Sequence, residues 1–206
     1  MSRIVVFGAG GRAGRQVVTE ASGRGHDVTA VVRDPAQHAA PDGVELVAGD
    51  VTDPAAVAAL VKDQDAVISA AAVYGEGTDP HAFFTESARA LVAAAPARLV
   101  VVGIASLAAD ASGQAWMDAP GFPAEFRPFS AAHAAGLAVL RDSEVNWLYV
   151  SPAGDFDHSA GRTGAYRVAP HGNPADRISY ADFAIALVDE ALNGRHQRQH
   201  VVISGA

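Results

Sequence analysis

Between Arg3 and Val18 the chain reads RIVVFGAGGRAGRQVV, an apolar run followed by four glycines within seven positions and then a helix-like pattern. Gly8, Gly10 and Ala13 satisfy G-x-G-x-x-G/A, and Gly8, Gly11 and Gly14 satisfy the alternative spacing G-x-x-G-x-x-G. Each position has a physical job. The first glycine permits a tight turn, a middle one lets the backbone approach a pyrophosphate, and a small last residue lets a helix pack on the preceding strand. The loop then opens a helix whose first N–H groups point at an anion. Because the motif follows a strand and precedes a helix, the context suits a dinucleotide rather than an unliganded turn.

A second feature discriminates between dinucleotides. The next apolar run ends in VVRDP, about twenty residues beyond the glycines, where an acid binds a ribose 2′-hydroxyl or an arginine accommodates a 2′-phosphate. Arg33 stands there, with Arg12 inside the loop able to reach the same phosphate, so the pattern favours NADP(H) over NAD(H). The alternative leaves Arg33 in solvent and gives the ribose to Asp34. Asp50, and Ser69, Ala70 and Ala71, follow the next two strand patterns, at the carboxyl ends where an adenine and its ribose would rest.

The elements that position these residues can be read from periodicity. Short β-branched runs at 4–7, 28–32, 44–47, 66–68, 99–102, 147–150 and 200–203 suit strands buried on both faces. Helical patterns lie between most of them, with starts at Asp53-Pro54, at Asp79-Pro80 and at the Ser179/Asp182 box, and a stop at Asn193-Gly194. Strand, helix and strand in repetition predict an α/β fold: a Rossmann-type, doubly wound, mainly parallel sheet with helices on both faces. At 206 residues, with half of them apolar, the chain is expected to be a single domain spanning 1–206. Two stretches break the rhythm, 107–130 and 151–177, both rich in turn residues and without clear period. Such long irregular stretches are commonly functional, and both are expected to be substrate-side loops. Trp116, Phe122, Phe126 and Phe129 in the first suggest an aromatic substrate wall.

Composition bounds the partners. Fifteen Lys and Arg against 23 Asp and Glu leave a net charge of −8, which argues against nucleic acid as a partner. There is no cysteine, no signal-type leader and no apolar stretch of membrane-spanning length, so a cytoplasmic protein away from the membrane is expected. The histidines show no metal-ligand spacing, and no metal is expected.

With GAGGRAG, VVRDP, GDVTDP, LVVVGIAS, AVLRDSEVNWLYVSP, RTGAY and RISYADFA in view, the chain resembles the atypical short-chain dehydrogenase/reductases with an NAD(P)H-binding, NmrA-like domain, of the flavin reductase/biliverdin reductase B type. The resemblance covers essentially the whole chain. It implies that Gly8, Gly11, Arg12, Gly14 and Arg33 hold NADP(H), that Ser106 lies beside the nicotinamide, and that His133 belongs to the substrate pocket. The family's usual threonine before the middle glycine is Gly10 here, so one side-chain contact to the cofactor would be missing. A further pocket histidine of some relatives falls at Gly154, which puts the same substrate in doubt.

The main short-chain branch reduces ketones with a Tyr-x-x-x-Lys pair. No such pair exists: four residues after Tyr74, Tyr149, Tyr166 and Tyr180 stand Thr78, Ala153, Pro170 and Ala184, and the sole lysine is Lys62. Ser106 and His133 remain as catalytic candidates, the histidine as a proton donor, with Asp155 and His158 behind them. Chemistry that tolerates a weak proton donor is hydride transfer to a planar conjugated acceptor of flavin or quinone type. The alternatives are a redox sensor that binds the dinucleotide without turnover, and an isomerase or dehydratase that retains it.

Overall fold

The computed structural model describes residues 1–206. Ten strands are present: β1 (Arg3–Phe7), β2 (Asp27–Val32), β3 (Glu45–Ala48), β4 (Ala66–Ser69), β5 (Leu99–Val102), β6 (Trp147–Pro152), β7 (Asp155–Asp157), β8 (Tyr166–Ala169), β9 (Arg177–Ser179) and β10 (Gln199–Gly205). The five α-helices are α1 (Arg12–Gly23), α2 (Pro54–Val61), α3 (Pro80–Ala93), α4 (Arg127–Arg141) and α5 (Tyr180–Asn193). Eight strands form one sheet in the order β3-β2-β1-β4-β5-β6-β10-β8, parallel throughout except for β8, which runs antiparallel to β10. The chain therefore reverses direction across the sheet between β1 and β4. That crevice, outside the strands' carboxyl ends, is where open α/β sheets bind ligands.

Strand alternation divides the core into two layers. In β1, Ile4 and Val6 join the cluster beneath α1 and α5, whereas Val5 and Phe7 join the cluster beneath α2, α3 and α4. Both layers are built from fully buried aliphatic residues, so a two-sided parallel sheet follows directly from the near-continuous apolar runs. The expected helix punctuation is present. Asp53 Oδ1 accepts from Ala55 and Ala56, Asp79 Oδ1 accepts from Ala82, and Ser179 Oγ accepts from the Asp182 backbone. Gly194, with φ of +57°, ends α5.

The two irregular stretches hold more structure than their sequences suggest. Residues 151–177 contribute β7, β8 and the first residue of β9; β7 pairs in parallel with β9, and β8 extends the main sheet. These strands are only three or four residues long and owe their existence to distant partners, which no local period announces. The Asp182 carboxylate ties this stretch to α5 by accepting from the backbone N–H groups of Thr163 and Gly164 and from the Thr163 hydroxyl. Residues 107–130 contain short 3-10 helices at Trp116–Asp118 and Ala124–Phe126, and α4 begins inside the stretch, at Arg127. Pro128 in the first turn of α4 supplies a φ already set for the helix.

Candidate cofactor and substrate cleft

One cleft of about 710 Å³ lies at the switch point, and its size is in the range of small-molecule and cofactor sites. At its floor β1 delivers the chain into Gly8, whose φ is +75°. A Cβ at residue 8 would lie 2.5 Å from the Ala71 backbone, and one at Gly14 would lie 2.1 Å from the Gly8 carbonyl oxygen. Glycine is therefore demanded by contact at both positions. The turn closes with Gly11 N–H donating to the Gly8 carbonyl at 3.0 Å. Unlike α2, α3 and α5, helix α1 has no side-chain cap, and its first turn carries no acidic residue. Gly10, Arg12 and Ala13 line the cleft, and their N–H groups donate to no backbone carbonyl. Unspent donors at the positive end of a helix dipole are what a pyrophosphate requires.

Past the end of β2, Arg33 and Asp34 are placed differently. Arg33 lines the cleft with an exposed side chain, whereas the Asp34 carboxylate accepts from Ala36 N–H at 3.1 Å and from the Gln37 amide at 2.7 Å, capping the 3-10 turn Pro35–Gln37. Asp34 is engaged away from the cleft wall. Asp50, Ala70 and Ala71 also line the cleft, with Asp50 Oδ1 accepting from the Thr52 N–H and hydroxyl. Ser69 is buried below it and forms no part of its wall. The missing side chain at Gly10 has a local explanation: a Cβ there would lie 2.4 Å from the His38 ring. His38 fills that space and lines the cleft, a neighbour that sequence reasoning missed because nothing in its local pattern marks it. Arg12 reaches across to the 151–177 stretch, its Nη1 standing 3.3 Å from His158 Nδ1.

At the opposite end stands His133. Ser130, His133, Leu137 and Leu140 form the buried stripe of α4, so the histidine projects inward toward β5 and β6 as well as lining the cleft. Its ring lies 3.8 Å from that of Phe84 and 4.8 Å from that of Phe129, centroid to centroid. Burial pushes its pKa down from the ordinary 6.5 to about 3. Burial thus favours the neutral imidazole over the protonated ring as the form His133 takes in the fold. Ser106 is buried too. Its hydroxyl lies 2.8 Å from the Ser130 hydroxyl and off the cleft wall, where it braces the start of α4.

The aromatic wall is redistributed. Of the four aromatics singled out in 107–130 only Phe129 lines the cleft; Trp116 packs edge-on against Phe122, and Phe126 is half exposed, all three off the wall. Beyond Phe7 at its floor, the aromatics that line the cleft are Tyr74, Phe83, Phe129, Phe156 and Tyr180, with Phe156 stacked on Tyr180 at 4.0 Å. These five come from segments far apart in the chain, so no local signal could have assembled them. Asp155, exposed, accepts from the neighbouring Phe156 N–H. A side chain at Gly154 is excluded outright, since its Cβ would lie 2.3 Å from the Asp176 carbonyl oxygen.

Comparison with known proteins agrees with this geometry. A family model described as NAD(P)H-binding matches residues 8–193. The uncharacterized protein YwnB of Bacillus subtilis is 34% identical over 213 residues, covering 98% of this chain and 97% of YwnB. Among solved structures, a candidate NADH-flavin reductase of Streptococcus pneumoniae is 34% identical, with a TM-score of 0.86 and full coverage of both chains. An anaerobillin reductase of Escherichia coli O157:H7 shares the fold at 20% identity, with a TM-score of 0.77 over 99% of this chain and 97% of its own.

Proposed function

The chain belongs to the NAD(P)H-binding family, and from that premise we propose that it is an NADPH-dependent reductase that passes hydride to a planar conjugated acceptor of flavin or quinone type. The observation that carries the reading is the continuity of one cleft from the uncapped glycine turn to an aromatic wall. The flavin reductase description of the pneumococcal relative supports the same chemistry.

The residues fit the cofactor. Gly8, Gly11 and Gly14 shape the turn, Gly10, Arg12 and Ala13 offer N–H donors to the pyrophosphate, and Arg33 offers a guanidinium to a 2′-phosphate, which favours NADP(H) over NAD(H). When bound, the nicotinamide supplies a hydride, two electrons with one hydrogen nucleus. Tyr74, Phe83, Phe129, Phe156 and Tyr180 would grip a flat ring by its faces and edges and keep water from the transfer. A conjugated acceptor spreads the arriving electron pair over its ring and takes its proton from solvent afterwards, so no ionised acid is required of the protein. The neutral His133 suits that demand.

The test is NADPH oxidation by the purified protein against flavin mononucleotide and a panel of quinones. Saturable turnover above the rate of free NADPH with the same acceptors is expected. Absence of turnover with every acceptor, together with tenfold or greater discrimination between NADP⁺ and NADPH, would replace the reductase by a redox sensor.

A further inference from the structure

Behind His133 the structure places a buried tyrosine whose only hydrogen-bond partner is that histidine. Tyr149, on β6, is 2% exposed, and its hydroxyl oxygen lies 2.9 Å from His133 Nδ1. The sheet makes room for it. A Cβ at Gly103, just past β5, would lie 2.1 Å from Tyr149 Cε1, so the absence of a side chain there lets the ring extend beneath the cleft floor toward α4. Neighbouring His200 packs edge-on against the ring but directs its Nε2 to the Ser151 hydroxyl at 2.8 Å. His133 Nε2, in turn, is buried and has no partner.

Two arrangements of protons are available, and they are not equivalent. If His133 Nδ1–H donates to the tyrosine oxygen, the tyrosine O–H is left buried without an acceptor and the Nε2 lone pair is left unpaired as well. If the tyrosine O–H donates to Nδ1, only the Nε2–H remains unpaired. Each buried unpaired polar group is costly, so the second arrangement is preferred. Burial also raises the Tyr149 pKa well above its ordinary value, which keeps the hydroxyl protonated and able to donate.

We propose that Tyr149 is a positioning residue which holds His133 in its Nε2–H tautomer, making the histidine a neutral hydrogen-bond donor for an electron-rich atom of the acceptor, a carbonyl oxygen or a ring nitrogen. The role in turnover rests on the reductase reading above; the tautomer does not. Because Phe84 and Phe129 cover the imidazole, and Phe129 is the one of the two that lines the cleft, contact with an acceptor requires the Phe129 ring to shift. The acceptor class is narrowed accordingly: the donor rewards flavins and quinones, which carry such atoms where negative charge gathers after hydride addition, over conjugated hydrocarbons or one-electron oxidants that lack them.

The decisive measurement is histidine-detected ¹H–¹⁵N nuclear magnetic resonance on the whole protein. In wild type, His133 is expected to show a protonated, pyrrole-type Nε2 and an unprotonated Nδ1; a protonated Nδ1 would overturn the proposal without any variant. Tyr149→Phe, a near-isosteric change, is expected to move the Nδ1 resonance because its hydrogen bond is gone. An unmoved resonance would overturn the tyrosine's part. With flavin mononucleotide or a quinone, Tyr149→Phe should lower kcat about tenfold while NADPH affinity stays within about twofold. His133→Gln, which carries an amide N–H near the Nε2 position and needs no tautomer, should make Tyr149→Phe almost without further effect; full additivity of the two changes would overturn the coupling. Failure of all acceptors alongside the expected tautomer would remove the reductase reading and leave the tyrosine–histidine pair standing.

Discussion

The two ends of the cleft are built on different principles. The cofactor end is a backbone construction: Gly8, Gly11 and Gly14 set a turn whose tolerances are measured against carbonyl oxygens and Cα atoms, and its charges, Arg12 and Arg33, are exposed. The end proposed for the acceptor is a side-chain construction, in which Tyr74, Phe83, Phe129, Phe156 and Tyr180 line the cleft with a buried His133. A backbone site is intolerant of any added atom. A side-chain site can be reshaped residue by residue, which is how one dinucleotide-binding frame comes to serve different acceptors.

That contrast can be broken most severely at the turn. Gly14→Val would force a Cβ into the Gly8 carbonyl, where 2.1 Å is available. We expect NADPH affinity to fall by two orders of magnitude or more, about 3 kcal/mol, as read by titration calorimetry, with a lowered Tm in the same preparation. Wild-type affinity in this variant would show that the turn does not hold the pyrophosphate.

The acceptor end should reveal itself through acid. His133 is neutral in the fold to about pH 3, whereas in the unfolded chain it protonates near its ordinary 6.5. Between those values the unfolded state binds the extra proton, so the contribution to stability is whole above pH 6.5 and is lost as the pH falls toward 3. His200, lowered by burial to about 4, acts in the same direction. Denaturant melts from pH 7.5 to 4 should therefore show a loss of several kcal/mol that is shallower in His133→Gln. An equal slope in both proteins would mean that His133 is hydrated and charged. By the same reasoning kcat should carry no titration near pH 6.5 from this residue.

Arg33→Ala tests the exposed charges. Losing a charge-assisted contact should weaken NADPH by about 1.5–3 kcal/mol, roughly tenfold to a hundredfold, while NADH binding stays nearly unchanged. Equal wild-type affinities for the two nucleotides would remove the assignment. The smallest effects separate the true wall from the aromatic cluster beside it: Phe129→Ala should raise the acceptor KM about tenfold, and Trp116→Ala should leave it within about twofold. Reversed magnitudes would place the acceptor against Trp116 rather than Phe129.

How much of this was legible depended on where the determining contacts lie. The glycine turn from Gly8 to Gly14 was legible because a strand end, a turn and a helix start are neighbours in the chain. The capping of α2, α3 and α5 was legible for the same reason, each cap reaching only two or three residues ahead. That Asp34 caps its own turn while Arg33 lines the cleft appears only in the fold. Trp116, Phe122 and Phe126 lie off the cleft wall, which their aromatic density alone did not tell: Trp116 packs edge-on against Phe122, and Trp116 and Phe126 remain partly exposed.

The amino-acid sequence by itself determined the parallel sheet, the glycine turn with its demand for an anion, and the absence of a Tyr-x-x-x-Lys pair, since each is a matter of residues close together or of residue types not present. Only the tertiary structure decided that Tyr74, Phe83, Phe129, Phe156 and Tyr180 line one cleft, that His38 occupies the space above Gly10, and that Tyr149 meets His133. The physical reason is that local backbone preferences act over a few residues, whereas a neutral histidine buried against a tyrosine sixteen positions away exists only once β5, β6 and α4 have packed and excluded the water that would otherwise ionise it.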